Sequence, residues 1–143
     1  MKLAEILRNK GHEVITITES ESVLDAARLL VEKNIGGLVV MDGARTLGIL
    51  TERDILRLTA RAPGELGSTE VGTVMTRAVI TAQPEDELTD LMDLMTENRI
   101  RHLPVMEGDR LAGIVSIGDL LNACRIVAED ENSQLRQYIH GSG

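Results

Sequence analysis

Two stretches decide the fold: VITITESESVLDAARLLVEKNIGGLVVMDGARTLGILTERDIL, residues 14–56, and VITAQPEDELTDLMDLMTENRIRHLPVMEGDRLAGIVSIGDLL, residues 79–121. They align without a gap at an offset of 65, and 16 of the 43 aligned positions are identical. The identities include Val14-Ile15-Thr16 on Val79-Ile80-Thr81, Gly48-Ile49 on Gly113-Ile114, and Asp54 on Asp119. Two copies are too few for an open solenoid, which needs three or more repeats to bury its faces. Two half-domains packed face to face about an approximate two-fold axis are the simpler expectation.

Each copy carries the same periodicities in the same order. Residues 14–18 alternate and are β-branched, which predicts a strand. Val23, Ala26, Ala27 and Leu30 fall at i, i+3, i+4 and i+7, one apolar stripe of a helix that Ser20 or Ser22 can cap. Residues 38–41 and 47–50 are short apolar strands around Asp42-Gly43, a hairpin-turn signal. A helix over 52–59 closes the copy. The second copy repeats this with a strand over 79–82 and a stripe of Leu88, Leu91, Met92 and Met95. A hairpin around Glu107-Gly108 and a helix over 119–128 follow. The predicted fold is α/β (α+β), with β-α-β-β-α order in each copy.

Short helical lead-ins precede the copies at 3–7 and 69–75. The domain reading is a first copy with its lead-in over 1–60, a linker over 61–68 and a second copy over 69–128. Residues 129–143 are a helical extension with a frayed tail, His140-Gly141-Ser142-Gly143. Each copy alone would be about 60 residues, near the lower limit for independent stability.

Composition narrows the function. The chain has 143 residues, 43% of them hydrophobic, with Tyr138 its single aromatic, so the core must be aliphatic. A net charge of −8 argues against a nucleic-acid backbone as partner, and the lack of Phe and Trp removes stacking platforms for single strands. Cys124 is the only cysteine and reads as a buried structural thiol. No apolar run reaches the ~20 residues of a membrane span, and no signal-peptide pattern opens the chain. The expectation is a cytoplasmic protein without a membrane or nucleic-acid partner.

Two segments could carry chemistry. Gly48-Ile49-Leu50-Thr51-Glu52-Arg53-Asp54 and Gly113-Ile114-Val115-Ser116-Ile117-Gly118-Asp119 share a Gly-apolar-x-Thr/Ser-x-x-Asp pattern at a strand-to-helix junction. Hydroxyl, helix start and carboxylate together suit a phosphate-ribose unit. The same spacing is also a capping box, in which the hydroxyl caps the helix and the acid reaches back. In the second segment, Arg99-Ile100-Arg101-His102 is a basic spot in an acidic chain, as an oligophosphate would need. It also fits a helix C-terminus, where basic residues oppose the dipole. The corresponding residues of copy one, Asn34-Ile35-Gly36-Gly37, carry no charge, so the two sites differ chemically. The histidines lack metal-ligand spacing, and neither a Gly-x-Ser-x-Gly elbow nor a Walker-type loop is present.

These features, in this order and twice over, resemble the tandem CBS-domain family, stand-alone pairs known as Bateman modules. The resemblance runs from about Leu3 to Ala128. It rests on the duplicated order, the Val-Ile-Thr openings, Asn34-Ile35-Gly36-Gly37-Leu38-Val39-Val40, His102-Leu103-Pro104-Val105 and the two Thr/Ser-x-x-Asp motifs. It implies a non-catalytic regulatory module that binds adenosine-containing ligands (AMP, ADP, ATP, S-adenosylmethionine or NAD(H)) between the copies and signals to a separate protein. By that pattern Asp54 and Asp119 would hold ribose hydroxyls, and Thr51 and Ser116 would contact ribose or phosphate. Thr16, Ile17, Thr81 and Ala82 would touch adenine, Val39 and Pro104 would line its slot, and Arg53, Arg101 and His102 would face phosphates. The resemblance also implies a homodimer. Ile55, Leu56, Leu58, Leu120, Leu121, Ile126 and Val127 offer it apolar surface beyond one small domain's need. The rival readings are a ligand-free dimerisation scaffold and a nucleotide hydrolase.

Overall fold

The computed structural model describes the backbone of residues 1–141 and the side chains of residues 1–139. Copy one comprises α1 (Leu3–Lys10), β1 (Thr16–Ile17), α2 (Val23–Lys33), β2 (Gly37–Asp42), β3 (Arg45–Thr51) and α3 (Glu52–Arg61). Copy two comprises α4 (Val71–Val74), α5 (Leu88–Asn98), β4 (His102–Glu107), β5 (Arg110–Ser116) and α6 (Ile117–Gly141). The sheets are β1-β2-β3, with β1 parallel and β3 antiparallel to β2, and the antiparallel pair β4-β5. Each hairpin is bulged at the same place, Val40/Met41 and Val105/Met106.

Local chemistry sets the elements. Ser22, not Ser20, caps α2, accepting from Asp25 N–H at 3.0 Å. Val23, Ala26 and Leu30 are its buried stripe, with Ala27 only half-buried; Leu88, Leu91 and Met95 are buried on α5. The predicted strand over 14–18 shrinks to Thr16–Ile17, because a turn closed by Glu21 N–H on the Thr18 carbonyl follows at once. Its counterpart over 79–82 is reduced to one parallel bridge, Ala82 with Val105. The cause is Pro104. The parallel pairing Thr16↔Val39 uses the Val39 N–H, and Pro104 stands at the equivalent position without one. The predicted closing helix and extension of copy two form one continuous helix, α6. His140 and Gly141 belong to it rather than to a frayed tail, while Ser142 and Gly143 lie outside the described residues.

There are two aliphatic cores, and the lead-ins cross between them. Ile17, Val23, Leu30, Leu38, Val40, Leu50 and Leu58 of copy one enclose Val71 and Met75 from the α4 segment. Leu88, Leu91, Met95, Leu103, Val105, Val115 and Leu120 of copy two enclose Leu3, Ile6 and Leu7 of α1. Backbone bonds fix the exchange: Leu3 N–H donates to Asp86 O and Val71 N–H to Glu21 O, at 2.9 and 2.8 Å. The crossing strands approach closely at Gly48, where a Cβ would stand 2.5 Å from the Thr76 carbonyl oxygen. Leu7 packs on Gly113 as Met75 packs on Gly48.

The apolar surplus is smaller than the sequence suggests. Leu58 and Leu120 are core residues, 2% and 0% exposed, and Ile55 and Val127 pack partly against the cores. Leu56 and Leu121 do face outward, 68% and 54% exposed. Cys124 is half-buried against the second core rather than enclosed in it.

Candidate functional site

The site grows from the β3–α3 junction. Thr51, still extended at φ −117°, is the N-cap of α3. Asp54 Oδ2 accepts from the Thr51 N–H at 2.9 Å and from its hydroxyl at 3.2 Å. Among the described residues Asp54 is the one buried charged side chain, 7% exposed, and no cation pairs with it. Its Oδ1 takes no hydrogen bond from any described residue.

A cleft of about 610 Å³ opens beside this carboxylate, between the copies. Copy one contributes Gly36, Ile49, Thr51, Glu52, Arg53, Asp54, Leu56 and Arg57; copy two contributes Thr76, Ala78, Val79, Ile80 and residues 98–102. Arg53 and Arg57 lie one turn apart on α3, while Arg99 and Arg101 come from the α5–β4 connection. None of these four guanidiniums has an ion pair or hydrogen bond among the described residues. Arg28, Arg77, Arg110 and Arg125 pair with Asp25, Glu19, Glu107 and Glu129, while Arg8, Arg45, Arg61 and Arg136, outside the cleft lining, also lack an ion pair among the described residues. A second cavity of about 450 Å³ adjoins the cleft and shares Arg53, Arg99, Ile100 and Arg101 with it.

His102 sits where the copies meet, its ring over Gly36 and Gly37. A Cβ at Gly36 would stand 2.9 Å from His102 Nε2, and one at Gly37 3.2 Å from Cγ. His102 thus fills the space that side chains at positions 36 and 37 would need. Burial pushes the imidazole below its ordinary value; Glu52 and Asp119 pull it up, and Lys10 and Arg101 push it down, without reversing that. His102 is therefore held neutral at neutral pH.

The second junction is built differently. Asp119 Oδ2 accepts from Ser116 N–H at 2.8 Å and Asp119 N–H donates to Ser116 Oγ at 3.2 Å, a complete capping box. The same Oδ2 takes Lys10 Nζ at 2.6 Å, and Nζ also donates to the Ile114 carbonyl at 2.7 Å. Burial raises the affinity of Asp119 for a proton, but the Lys10 and Ser116 hydrogen bonds outweigh it and hold the carboxyl below the usual range. The difference has a length cause. From Leu7 to Val14 is seven residues, and from Met75 to Val79 only four. Copy one spends the extra three on a longer lead-in helix, which carries Lys10 onto Asp119.

Of the residues picked from sequence, Thr51, Arg53, Asp54, Arg101 and His102 line one cleft. Ser116 and Asp119 form the second junction. Thr16 and Ile17 lie on β1, Val39 and Pro104 are buried in β2 and β4, Thr81 is exposed and Ala82 buried; none of the six lines the cleft. Sequence reasoning did not assign Arg57, Arg99, Thr76, Ala78, Val79 or Ile80 to the site. Arg57 follows Arg53 at i+4, Arg99 lies in the basic spot already noted, and Val79-Ile80 open the second copy, so these carried a signal; Thr76 and Ala78 carried none.

Comparison with known proteins agrees with this architecture. The sequence matches the CBS-domain family over residues 4–61 and 71–126. The chain therefore belongs to that family, as a CBS pair. It is 35% identical over 148 residues to the mitochondrial CBS domain-containing protein CBSX3 of Arabidopsis thaliana, covering 97% of this chain and 72% of that one. The crystal structure of the CBS-domain protein ATU1752 from Agrobacterium tumefaciens superposes with a TM-score of 0.84 at 38% identity, over 86% of this chain and 98% of that one. The CBS-domain pair of protein MJ0100, solved in complex with 5′-methylthioadenosine and S-adenosyl-L-methionine, superposes at 0.77 with 26% identity, over 91% and 98% of the two chains. Among the described residues no helix is long and apolar enough to cross a membrane.

Proposed function

We propose that this CBS pair is a non-catalytic regulatory module that binds an adenosine-containing ligand, AMP, ADP, ATP or NAD(H), in the cleft beside Asp54. Occupancy would be signalled to a separate protein. The observation that carries the reading is Asp54 itself: a buried carboxylate with no cation partner, facing a cleft of nucleotide size rimmed by four unpaired arginines. Its free oxygen suits the hydroxyls of a ribose, and Thr51 stands beside it at the helix start. The likeness to a CBS pair solved with two adenosine derivatives supports the ligand class. A ligand can shift such a module only through different affinities for two arrangements of the copies. Leu56 and Leu121, exposed on α3 and α6, support a homodimer through those helices. Our reading is of a cytoplasmic protein; its Arabidopsis relative is mitochondrial by name.

The test is calorimetry with adenosine on the wild type and on Asp54→Ala. Loss of a charge-assisted hydrogen bond costs about 1.5–3 kcal/mol, ten-fold or more in affinity. Loss of the cap costs about 1 kcal/mol of stability and no affinity. Equal adenosine affinity in both proteins would return Asp54 to a pure capping role and favour the scaffold reading.

A further inference from the structure

The two ends of the site differ in charge. Glu52 and Asp54 line the main cleft only, whereas the adjoining cavity has Arg53, Arg99 and Arg101 and no acidic residue among its lining. A ligand that spans both must offer hydroxyl donors at one end and several negative charges at the other. One phosphate is satisfied by one or two guanidiniums in bidentate geometry. Three arginines line this one cavity, more than that need, in a chain of net charge −8.

Arg99 adds an independent observation. It is the C-cap of α5, in the left-handed region at φ 54°, and its N–H closes on the Met95 and Thr96 carbonyls. In copy one the same position is Asn34, at φ 53°, closing on Leu30 and Val31. Asparagine tolerates this conformation better than a long side chain, whose local gain is confined to the meeting of its charge with the helix C-terminus. Copy one closes the equivalent helix end with asparagine, so the turn itself does not require an arginine. A residue held against its backbone preference at the rim of a cleft reads as functional.

We infer that the cleft takes a ligand with two or more phosphates in a row, and that Arg99 sets the preference for such a chain over a monophosphate. This rests on the adenosine reading only for the end at Asp54. It separates ADP, ATP and NAD(H), which carry linked phosphates, from AMP and from sulfonium derivatives of adenosine.

The experiment measures dissociation constants for adenosine, AMP, ADP, ATP and inorganic tripolyphosphate at one physiological ionic strength. It uses the full chain and its Arg99→Asn variant, with thermal melting of both. Expected is about ten-fold tighter binding of ADP and ATP than of AMP, the scale of one added charge-assisted contact. Arg99→Asn should erase most of that increment, leave adenosine unchanged and melt no lower than the wild type. Equal affinities for AMP and ATP, or a variant that loses adenosine as much as ATP, would overturn the inference while leaving the adenosine reading intact. Tripolyphosphate binding as tightly as ATP would uphold the oligophosphate end and overturn the adenosine reading. Binding of none of the five would overturn both.

Discussion

Replacing Lys10 by alanine asks whether the second junction is a blocked copy of the first. Lys10 Nζ lies 2.6 Å from Asp119 Oδ2, and the two side chains are 33% and 25% exposed. That exposure puts the pair between the open-surface case, worth up to about 1 kcal/mol, and the fully buried case, where removing one partner costs about 3–5 kcal/mol. Asp119 also keeps the Ser116 N–H at 2.8 Å, so its charge is not left bare. The expected cost is about 1–2 kcal/mol, a fall in Tm of about 3–8 °C for a chain of this size. The second consequence is stoichiometric. In the wild type Lys10 pairs with the capping oxygen of Asp119 and neutralises the carboxylate, so calorimetry with ATP should count one site per chain. In Lys10→Ala it should count two, the second weaker because Gly36-Gly37 supply no basic side chains there. Asp119→Asn provides the control: it breaks the same pair without restoring a carboxylate, and should stay at one site. A Lys10→Ala chain that melts below the wild type yet still binds one equivalent would show that something other than Lys10 closes the second junction. One that melts unchanged would show that the pair contributes nothing.

Acid should destabilise the fold in two stages. His102 is lowered in the folded state, so its contribution is present above its unfolded pKa, near 6.5, and is lost as pH falls through the lower folded value. Asp119 is also lowered, so its contribution persists to below the ordinary carboxylate range and goes last. Melting temperatures from pH 8 to pH 3, with His102→Gln removing the first stage alone, check the assignment; an unchanged profile in that variant refutes it. Assembly is tested at Leu121, 54% exposed on α6. Leu121→Glu should shift a sedimenting dimer toward monomer with little loss of Tm, because the chain's own core does not use the residue. A wild type that sediments as a monomer at micromolar concentration removes the dimer from the proposal.

Local order was readable because it is written locally. The stripe Val23, Ala26, Leu30 and its copy Leu88, Leu91, Met95 needed only helical spacing. The Thr51–Asp54 and Ser116–Asp119 pairs needed only three-residue spacing at a helix start. Other features depend on partners far away in the chain. That α1 completes the core of copy two, and α4 that of copy one, is invisible to periodicity, which shows an apolar stripe but not what covers it. Leu120 and Leu121 are adjacent and equally apolar; only the direction of α6 separates core from surface. The missing strand over 79–82 was legible after the fact, since Pro104 was in plain view. Its effect appears only once β4 is known to need that N–H for a parallel neighbour. Lys10 gave no signal, as a lysine at a helix end is the commonest of surface features.

The two readings of the Thr/Ser-x-x-Asp motif turn out not to compete. A carboxylate has two oxygens, and capping uses one. Asp54 caps α3 through Oδ2, leaves Oδ1 without a hydrogen bond from a described residue and lines the cleft, so the cap positions the group instead of consuming it. Asp119 caps α6 through the same atom and meets Lys10 there as well. What separates binding from scaffolding is therefore not the motif but what the opposite copy brings to it. Duplication set two equal junctions across an approximate two-fold axis, and packing then forced them apart. His102 occupies the space over Gly36 and Gly37, so a side chain at either position would crowd the imidazole. The copy that carries Arg101-His102 arms the cleft of its neighbour, at Asp54. The copy that carries Gly36-Gly37 has nothing to give the junction at Asp119, and there an internal lysine neutralises the acid. One composite site per chain, acidic at the helix start and basic across the gap, is what that asymmetry predicts.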